Sequence, residues 1–414
     1  MFDLEKQLNQ KHPLVKLAKS LDWNWFEQEF GRQASAKGGR PSLPSRLLVG
    51  LHYLKAMYKE SDESVVEKWV ENPYWQYFCG EEEFQHEFPC DPTSLVKWRK
   101  RVGAEGIEKL LEQVIQSAMG VNALKEKEIK RVNVDTTVQE KAIAFPTDSG
   151  LYHKAIETLV REAKARGVKL RQSYVRVGKR ALFQQSRYRC ARQLKRARKH
   201  TRKLRTYLGR VIRDIRRKLP EADVVMESLL ERAEKIHQQA RQDSDKVYSM
   251  HAPEVECIAK GKAHKRYEFG SKVVMVTTSA SNWIVGMDAM HGNPYDGSTL
   301  IPALEQTQRL TGVLPEQASV DKGFRGKTHH PEQVDILVAG TRKFTGILKK
   351  LVKRRSAIEP VIGHSKQDHA LGRNYLQGQQ GDRINALLVA CGFNLRKLCR
   401  FFLDNPRRGS QIHA

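Results

Sequence analysis

Two aspartates in this chain stand where a sheet would hold them for chemistry on phosphate. Asp135 closes the run Val132-Asn-Val-Asp135, whose apolar and polar residues alternate as in a strand, and Asp321 closes the short strand Gln317–Val320 in the same way. A strand end fixes the direction of a carboxylate. Phosphodiester cleavage with two metal ions needs carboxylates that converge on ions about 3.5–4 Å apart. Hard oxygen ligands suit two magnesium ions, with manganese as a substitute. Taken alone, each Asp reads more readily as a cap or turn residue; their joint placement in the strand order is what carries the metal reading. Arg355 and Glu359 are four residues apart and share a helix face, so Arg355 can hold the Glu359 carboxylate or a phosphate. The plain alternative is an exposed ion pair worth under about 1 kcal/mol. Lys366 follows about two turns later if the helix continues through Gly363, and Lys322 and Arg325 flank Asp321 where they can touch a nucleic-acid backbone.

Other candidates carry weaker patterns. Asp288 reads as a strand-end residue and Asp296 as the cap of a helix running to about Leu310, with assistance to a metal as the alternative for either. Lys260, Lys262, Lys265 and Lys272, set around Gly261 and Gly270, lack the G-x4-G-K-[ST] spacing of a nucleotide loop and read as a phosphate-contacting hairpin. His251, His329 and His330 read as loop histidines rather than ligands. Cys79, Cys90, Cys190, Cys257, Cys391 and Cys399 form no C-x-x-C pair and read as reduced core residues.

The elements that must position these groups are legible in outline. Residues 1–125 read as an all-helical N-terminal domain: Leu47, Leu48, Leu51, Leu54 and Met57 recur at helical spacing, and a second helix follows Ser61-Asp62-Glu63. Thr93 reads as the N-cap of Ser94–Arg101, with Gly103 as a stop. Lys97, Arg99 and Lys100 around Trp98 suit a helix laid against a DNA groove; a solvated helix with Trp98 in the core is the equal alternative. Residues 126–150 and 246–414 alternate strands and helices in the order three strands, helix, two strands, helices. That is the order of an α/β, ribonuclease-H-like mixed sheet with flanking helices. Between its first two strands lies a helical arm, 151–245. Within 161–220 stand 23 Lys or Arg against only Glu162 and Asp214. Ala197, Thr201, Leu204, Leu208, Val211 and Ile215 step by four and three as an apolar seam, with Val225, Leu229, Ala233 and Ile236 of Val224–Ile236 as the partner helix. A solvated charge run mixes signs, and this one does not.

The whole chain of 414 residues carries 73 Lys and Arg against 47 Asp and Glu, a net charge of +26. A polyanion is therefore the default partner, through counterion release along a nucleic-acid backbone. No run of 18 apolar residues exists, and the charged start Met1–Lys11 does not read as a signal peptide, so the expected location is the cytoplasm, at the nucleoid when DNA is bound.

Several blocks, in order, resemble one family. Arg355, Glu359 and Lys366 match the R-x3-E-x6-K signature of bacterial transposases of the insertion-sequence-four superfamily. VNVDTTVQ (132–139), HGNPYDG (291–297), SVDKGFRG (319–326) and GFNLRKL (392–398) look like the insertion-sequence-five family within it, and RPSLPSRLLVGLHYLK (40–55) is similar to that family's helical N-terminal domain. The signature begins with Tyr three residues before the Arg, where this chain has Val352. The resemblance implies a DDE transposase with Asp135, Asp321 and Glu359 as catalytic and metal-binding triad. It also implies double-stranded DNA partners, the terminal inverted repeats and the target, and a homodimer or larger assembly. A relative that only binds DNA and a metal-dependent nuclease that never joins strands stay open as alternatives.

Overall fold

Leucines at helical spacing set the first long helix. In α1 (Ser45–Tyr58) Leu47, Leu48, Leu51, Leu54 and Met57 are all buried. The computed structural model describes residues 3–31, 42–259, 266–340 and 345–405; Lys260, Gly261, Lys262 and Lys265 of the lysine cluster lie outside the described residues. α2 (Asp62–Glu71) starts at Ser61, whose hydroxyl takes the Ser64 N–H while the Ser64 hydroxyl takes that of Ser61. α3 (Pro92–Gly120) corrects the sequence reading at its start. Its N-cap is Asp91, which accepts from the Thr93 N–H at 2.8 Å, because Pro92 fills the first helical position. Gly103 is the expected stop: its non-helical backbone (φ 65°, ψ −172°) ends the first helical stretch, and a second continues across the kink to Gly120.

Arg99 is a further correction. It is not a groove-facing cation: its side chain is 5% exposed and forks onto Asp62 at 2.7 and 2.6 Å, with His52 3.2 Å from the same guanidinium. Trp98 is buried beside it, leaving Lys97, Lys100 and Arg101 on the exposed side of α3. Burial raises Asp62, but the Arg99 hydrogen bonds and the Lys55 and Arg99 charges outweigh it and hold the carboxyl at about 2.

The chain divides into two compact units, Met1–Glu140 with Ser271–Ala414, and Lys141–Gly270. The second unit has its own core, formed by α4 (Asp148–Ala165), α5 (Val175–Cys190), α6 (Leu194–Lys218) and α7 (Val224–Gln238). The expected seam is there: Leu204, Leu208, Val211 and Ile215 are fully buried. On α7 the phase differs from the sequence reading. Met226, Leu230, Ala233 and Ile236 face the core while Val225 is 60% exposed, because the Asp223 cap sets the turn in which the helix starts.

In the first unit the helical N-terminal residues share one continuous hydrophobic core with a sheet. The strands are β1 (Arg131–Glu140), β2 (Glu256–Ala259), β3 (Tyr267–Thr278), β4 (Ile284–Met290), β5 (Gln317–Val320) and β6 (Asp335–Val338). The order within this unit is β4-β3-β1-β5-β6, while β2 pairs antiparallel with the first residues of β3 inside the second unit. β1 runs parallel to β5, and β5 to β6. β3 and β4 form an antiparallel hairpin. Ser279, just past β3, donates to the Arg131 carbonyl at the start of β1, so those two strands also run antiparallel.

α8 (Leu300–Thr311) joins β4 to β5, and α9 (Gly346–Arg354), α10 (Ile358–Asp368) and the long α11 (Gly378–Asp404) follow β6. The GFNLRKL block lies in α11 and has structural work. A Cβ on Gly392 would sit 2.3 Å from the Ala56 carbonyl oxygen, so only glycine lets α11 pass α1 this closely. Buried Asn394 takes the Ile284 N–H at 3.0 Å and donates to the Ile284 carbonyl at 2.8 Å, closing the free edge of β4. No helix among the described residues is long and apolar enough to cross a membrane.

Removing one partner from a buried ion pair strands the other, so Arg99→Gln is expected to lower the unfolding free energy by about 3 kcal/mol. Asp62 is depressed in the folded state, so its stabilisation is full above its ordinary value of 3.8 and is lost as pH falls toward about 2. Urea unfolding across pH 2–5 checks both: the wild-type midpoint should fall within that window and the variant's should change less. Equal midpoints for the two proteins at pH 7 would contradict this account of Arg99.

Candidate active site

β1 is a central strand buried on both faces, and Asp135 is a half-buried position in its middle. The expectation that Asp135 ends the strand is corrected: β1 runs on to Glu140 alongside β3. What ends near Asp135 is the pairing with β5, whose register joins Arg131 to Gln317, Val132 to Ala318 and Asn133 to Ser319. Two steps further, Asp135 stands level with Asp321, the first residue past β5. Asp321 also caps a short 3-10 turn, Lys322–Phe324, by accepting from the Gly323 N–H at 2.8 Å, and Phe324 is buried as its anchor.

Glu359 opens α10, held in place by the buried Ile358 and Val361, and its own side chain is 62% exposed. Arg355, in the 3-10 turn before it, donates to Glu359 at 3.0 Å as the spacing anticipates. The same guanidinium donates to Asp135 at 3.1 Å, across 220 residues of sequence. Asp135 and Glu359 are thus brought onto one cation. Among the described residues no group of three His, Cys, Asp or Glu converges as a metal-ligand set. Glu359 is joined to the pair on the sheet through Arg355.

A fourth carboxylate belongs to this neighbourhood. Asp296 is not the helix cap expected of it, since the 3-10 turn Asp296–Thr299 uses no side-chain cap. Its Oδ1 accepts from Thr136 Oγ1 at 3.0 Å and from Lys272 at 2.9 Å. Its Oδ2 and the Oδ1 of Asp321 both crowd the point where a Cβ on Gly323 would lie, at 2.8 and 3.0 Å. Lys272, grouped by sequence with a phosphate-contacting hairpin, is instead 7% exposed and spends its charge on Asp296 and the Pro294 carbonyl. The signal for this network was present in the HGNPYDG block and in the Thr after Asp135, but spacing does not say which residues meet.

The remaining expected residues separate. Lys322 and Arg325 are exposed on either side of Asp321's turn. Lys366 lies half-buried two turns beyond Glu359, in a helix that does continue through Gly363. Lys97 and Lys100 lie on α3, and Val352 on α9. Asp288, within β4, is engaged by Arg383 at 2.9 Å. His330 faces the Phe324 carbonyl, His329 packs on Tyr295 and His251 pairs with Ser249.

The donor set fits a hard divalent cation, being carboxylate oxygens throughout. Arg355 supplies, between Asp135 and Glu359, positive charge of the kind such a cation brings.

Comparison with known proteins gives two matching family models: a Transposase domain (DUF772) over residues 2–101 and a Transposase DDE domain over 327–399. The second span contains Arg355, Glu359 and Lys366. A Rhizobium meliloti protein described as "Uncharacterized protein ORF8 in nfe locus" is 51% identical over 190 residues, covering 46% of this chain and 91% of its own length. No solved structure matches.

Gly323→Ala would push the Asp296 and Asp321 carboxylates apart without touching the core. Its expected effect is a loss of about tenfold or more in Mn2+ affinity by calorimetry, with the melting temperature within roughly 2 °C of wild type. Unchanged affinity would mean that Asp321 and Asp296 do not share a cation site.

Proposed function

We propose, for a chain that belongs to one family with the Rhizobium meliloti protein and carries the two domains of an insertion-sequence transposase, that it cuts DNA at the ends of its element and joins those ends to target DNA. Asp135, Asp321 and Glu359 are the catalytic carboxylates. The observation that carries this reading is the Arg355 fork, which ties the Glu359 of the R-x3-E-x6-K signature to Asp135 on β1, whose register brings it level with Asp321. The blocks quoted above support the insertion-sequence-five family. The order β4-β3-β1-β5-β6, parallel on one side of β1 and antiparallel on the other, supports a ribonuclease-H-like sheet with the second unit inserted after its first strand.

DDE transposase domains depend on divalent metal, for which magnesium is the ion we propose, with manganese as a substitute; bound ions polarise the scissile phosphate and favour a deprotonated oxygen nucleophile. The residues of the chain place the rest. Asp135 and Asp321, fixed by two paired strands, face the phosphate from the sheet, and Glu359 faces it from α10. Lys272 and Thr136 hold Asp296 beside Asp321 so that the carboxylates keep their directions. Water attacks phosphorus in line at the element end, forming one P–O bond as the bond to the 3′ oxygen breaks. The released 3′-hydroxyl then attacks a target phosphate, and one P–O bond again replaces another. No covalent intermediate with the protein is needed. Lys322, Arg325 and Lys366 lie along the backbone, Arg355 moves charge toward phosphate, and residues 1–125 read the terminal repeats with Lys97 and Lys100. Two ends handled together call for a dimer or larger assembly.

Glu359→Gln keeps the side chain's shape and removes its charge. Loss of transition-state stabilisation of about 4 kcal/mol, or roughly a thousandfold, is expected in both cleavage and joining, with end-DNA binding close to wild type. Asp135→Asn and Asp321→Asn should behave alike, and pairs of these changes should add little. A gel assay of binding, cleavage and joining on one labelled end reads all three. Normal cleavage by Glu359→Gln would remove it from the triad. Cleavage without joining of a pre-cut end by the wild type would favour a nuclease.

A further inference from the structure

The second unit distributes its charge unevenly. Its acidic residues neutralise the ends of α4 and α6 and the facing side of α7: Arg166 pairs with Glu162 and Asp223, Arg216 with Glu227 and Glu234, and Arg217 and Lys218 with Asp214. From residue 163 to 213 the sequence contains no Asp or Glu. On α6 this leaves Lys195, Arg198, Lys199, Arg202, Lys203 and Arg213 exposed, with no ion pair to any of them among the described residues. Lys195 and Lys199, Arg198 and Arg202, and Lys199 and Lys203 are like charges four apart, which oppose helix formation. Between them the half-buried His200 is held below its ordinary value by burial and by the Lys203 and Lys199 charges. α6 folds all the same because its other face buries Leu204, Leu208, Val211 and Ile215.

A fold has no use for such a face, so its use lies with a partner. A protein interface needs an apolar or aromatic centre and is poor in Lys, whereas the exposed middle of α6 is Lys, Arg and Thr. The face matches a regularly charged, extended polyanion. α6 has 25 residues, about 37 Å of helix, close to one turn of duplex at about 34 Å. We propose that the exposed face of α6 is a sequence-independent clamp for the phosphate backbone of double-stranded DNA, carried by a different unit from the catalytic carboxylates. This rests on the transposase reading and adds to it where the duplex is gripped.

The test uses the full chain. One variant replaces Arg198, Lys199, Arg202 and Lys203 with Gln. A second, with the same change in net charge and in the same unit, replaces Lys154, Lys164, Lys235 and Arg241 with Gln. Circular dichroism melts verify that each is folded, and a variant that fails to fold is replaced by the pair Arg198→Gln and Arg202→Gln with its effect halved. Binding to a random-sequence duplex is measured between roughly 50 and 200 mM salt. Each phosphate contact adds about 0.9 to the slope of log affinity against log salt. The α6 variant should therefore flatten the slope by about 3 and bind roughly a hundredfold more weakly near 0.1 M salt. The control should change the slope by less than about 1, and the α6 effect should be the same on element-end DNA. An unchanged slope, or equal flattening by both variants, overturns the clamp while wild-type binding and cleavage leave the transposase reading standing. Wild type that neither binds duplex nor cuts it overturns both. A changed oligomeric mass with unchanged DNA binding assigns α6 to another copy of the chain and overturns the clamp.

Discussion

The parallel register of β1 and β5 is the constraint from which the site follows. Side chains alternate along a strand, so a slip of one residue would turn Asp135 to the opposite face and bury it against the core. The register is held on both sides. Val132, Val134, Ala318 and Val320 are buried together, and the N–H groups of Glu316 and Gln317 both donate to the Lys130 carbonyl at the entrance to the pair. On the other edge of β1, Ser279 fixes Arg131 from β3. β5 then stops at Val320 while β1 continues, which frees Asp321 to turn into its 3-10 cap beside Asp135.

Gathering carboxylates has an electrostatic cost, and two cations meet it differently. Lys272 is buried and bound to Asp296 and a backbone carbonyl, a fixed countercharge that helps orient its neighbour. Arg355 is also mostly buried, but its partner Glu359 is exposed at the start of a helix. The guanidinium is planar and forked, suited equally to two carboxylates or to a phosphate. Arg355 and Lys272 thus offset two of the four carboxylates, on a chain whose net charge is +26.

Patterns confined to a single element were legible in the sequence. The leucines of α1, the helix at Ser61-Asp62-Glu63, five of the six strands, the seam of α6 and the Arg355–Glu359 spacing all depend on neighbours within a few residues, whereas the short β2 was not anticipated. Contacts made across the fold were not. Arg99 sits in a run of cations and reads as a DNA contact, but Asp62, 37 residues earlier, takes it into the core. The Arg355–Asp135 bond joins residues 220 apart. Asp296 reads as a cap because helix-start chemistry and ion-pair chemistry use the same side chain. GFNLRKL reads as a block shared with a family, and its Gly392 and Asn394 serve helix packing and close the edge of β4.

The proposed triad of Asp135 on β1, Asp321 just past β5 and Glu359 on α10 is tested most directly by anomalous diffraction from Mn2+ in crystals of the chain bound to duplex DNA. Two peaks about 3.5–4 Å apart are expected, within coordination distance of Asp135, Asp321 and Glu359, with the Arg355 guanidinium turned from Asp135 to a phosphate. Peaks placed on Asp288 or elsewhere, or an Arg355 still forked between Asp135 and Glu359 while the metal is bound, would contradict the assignment.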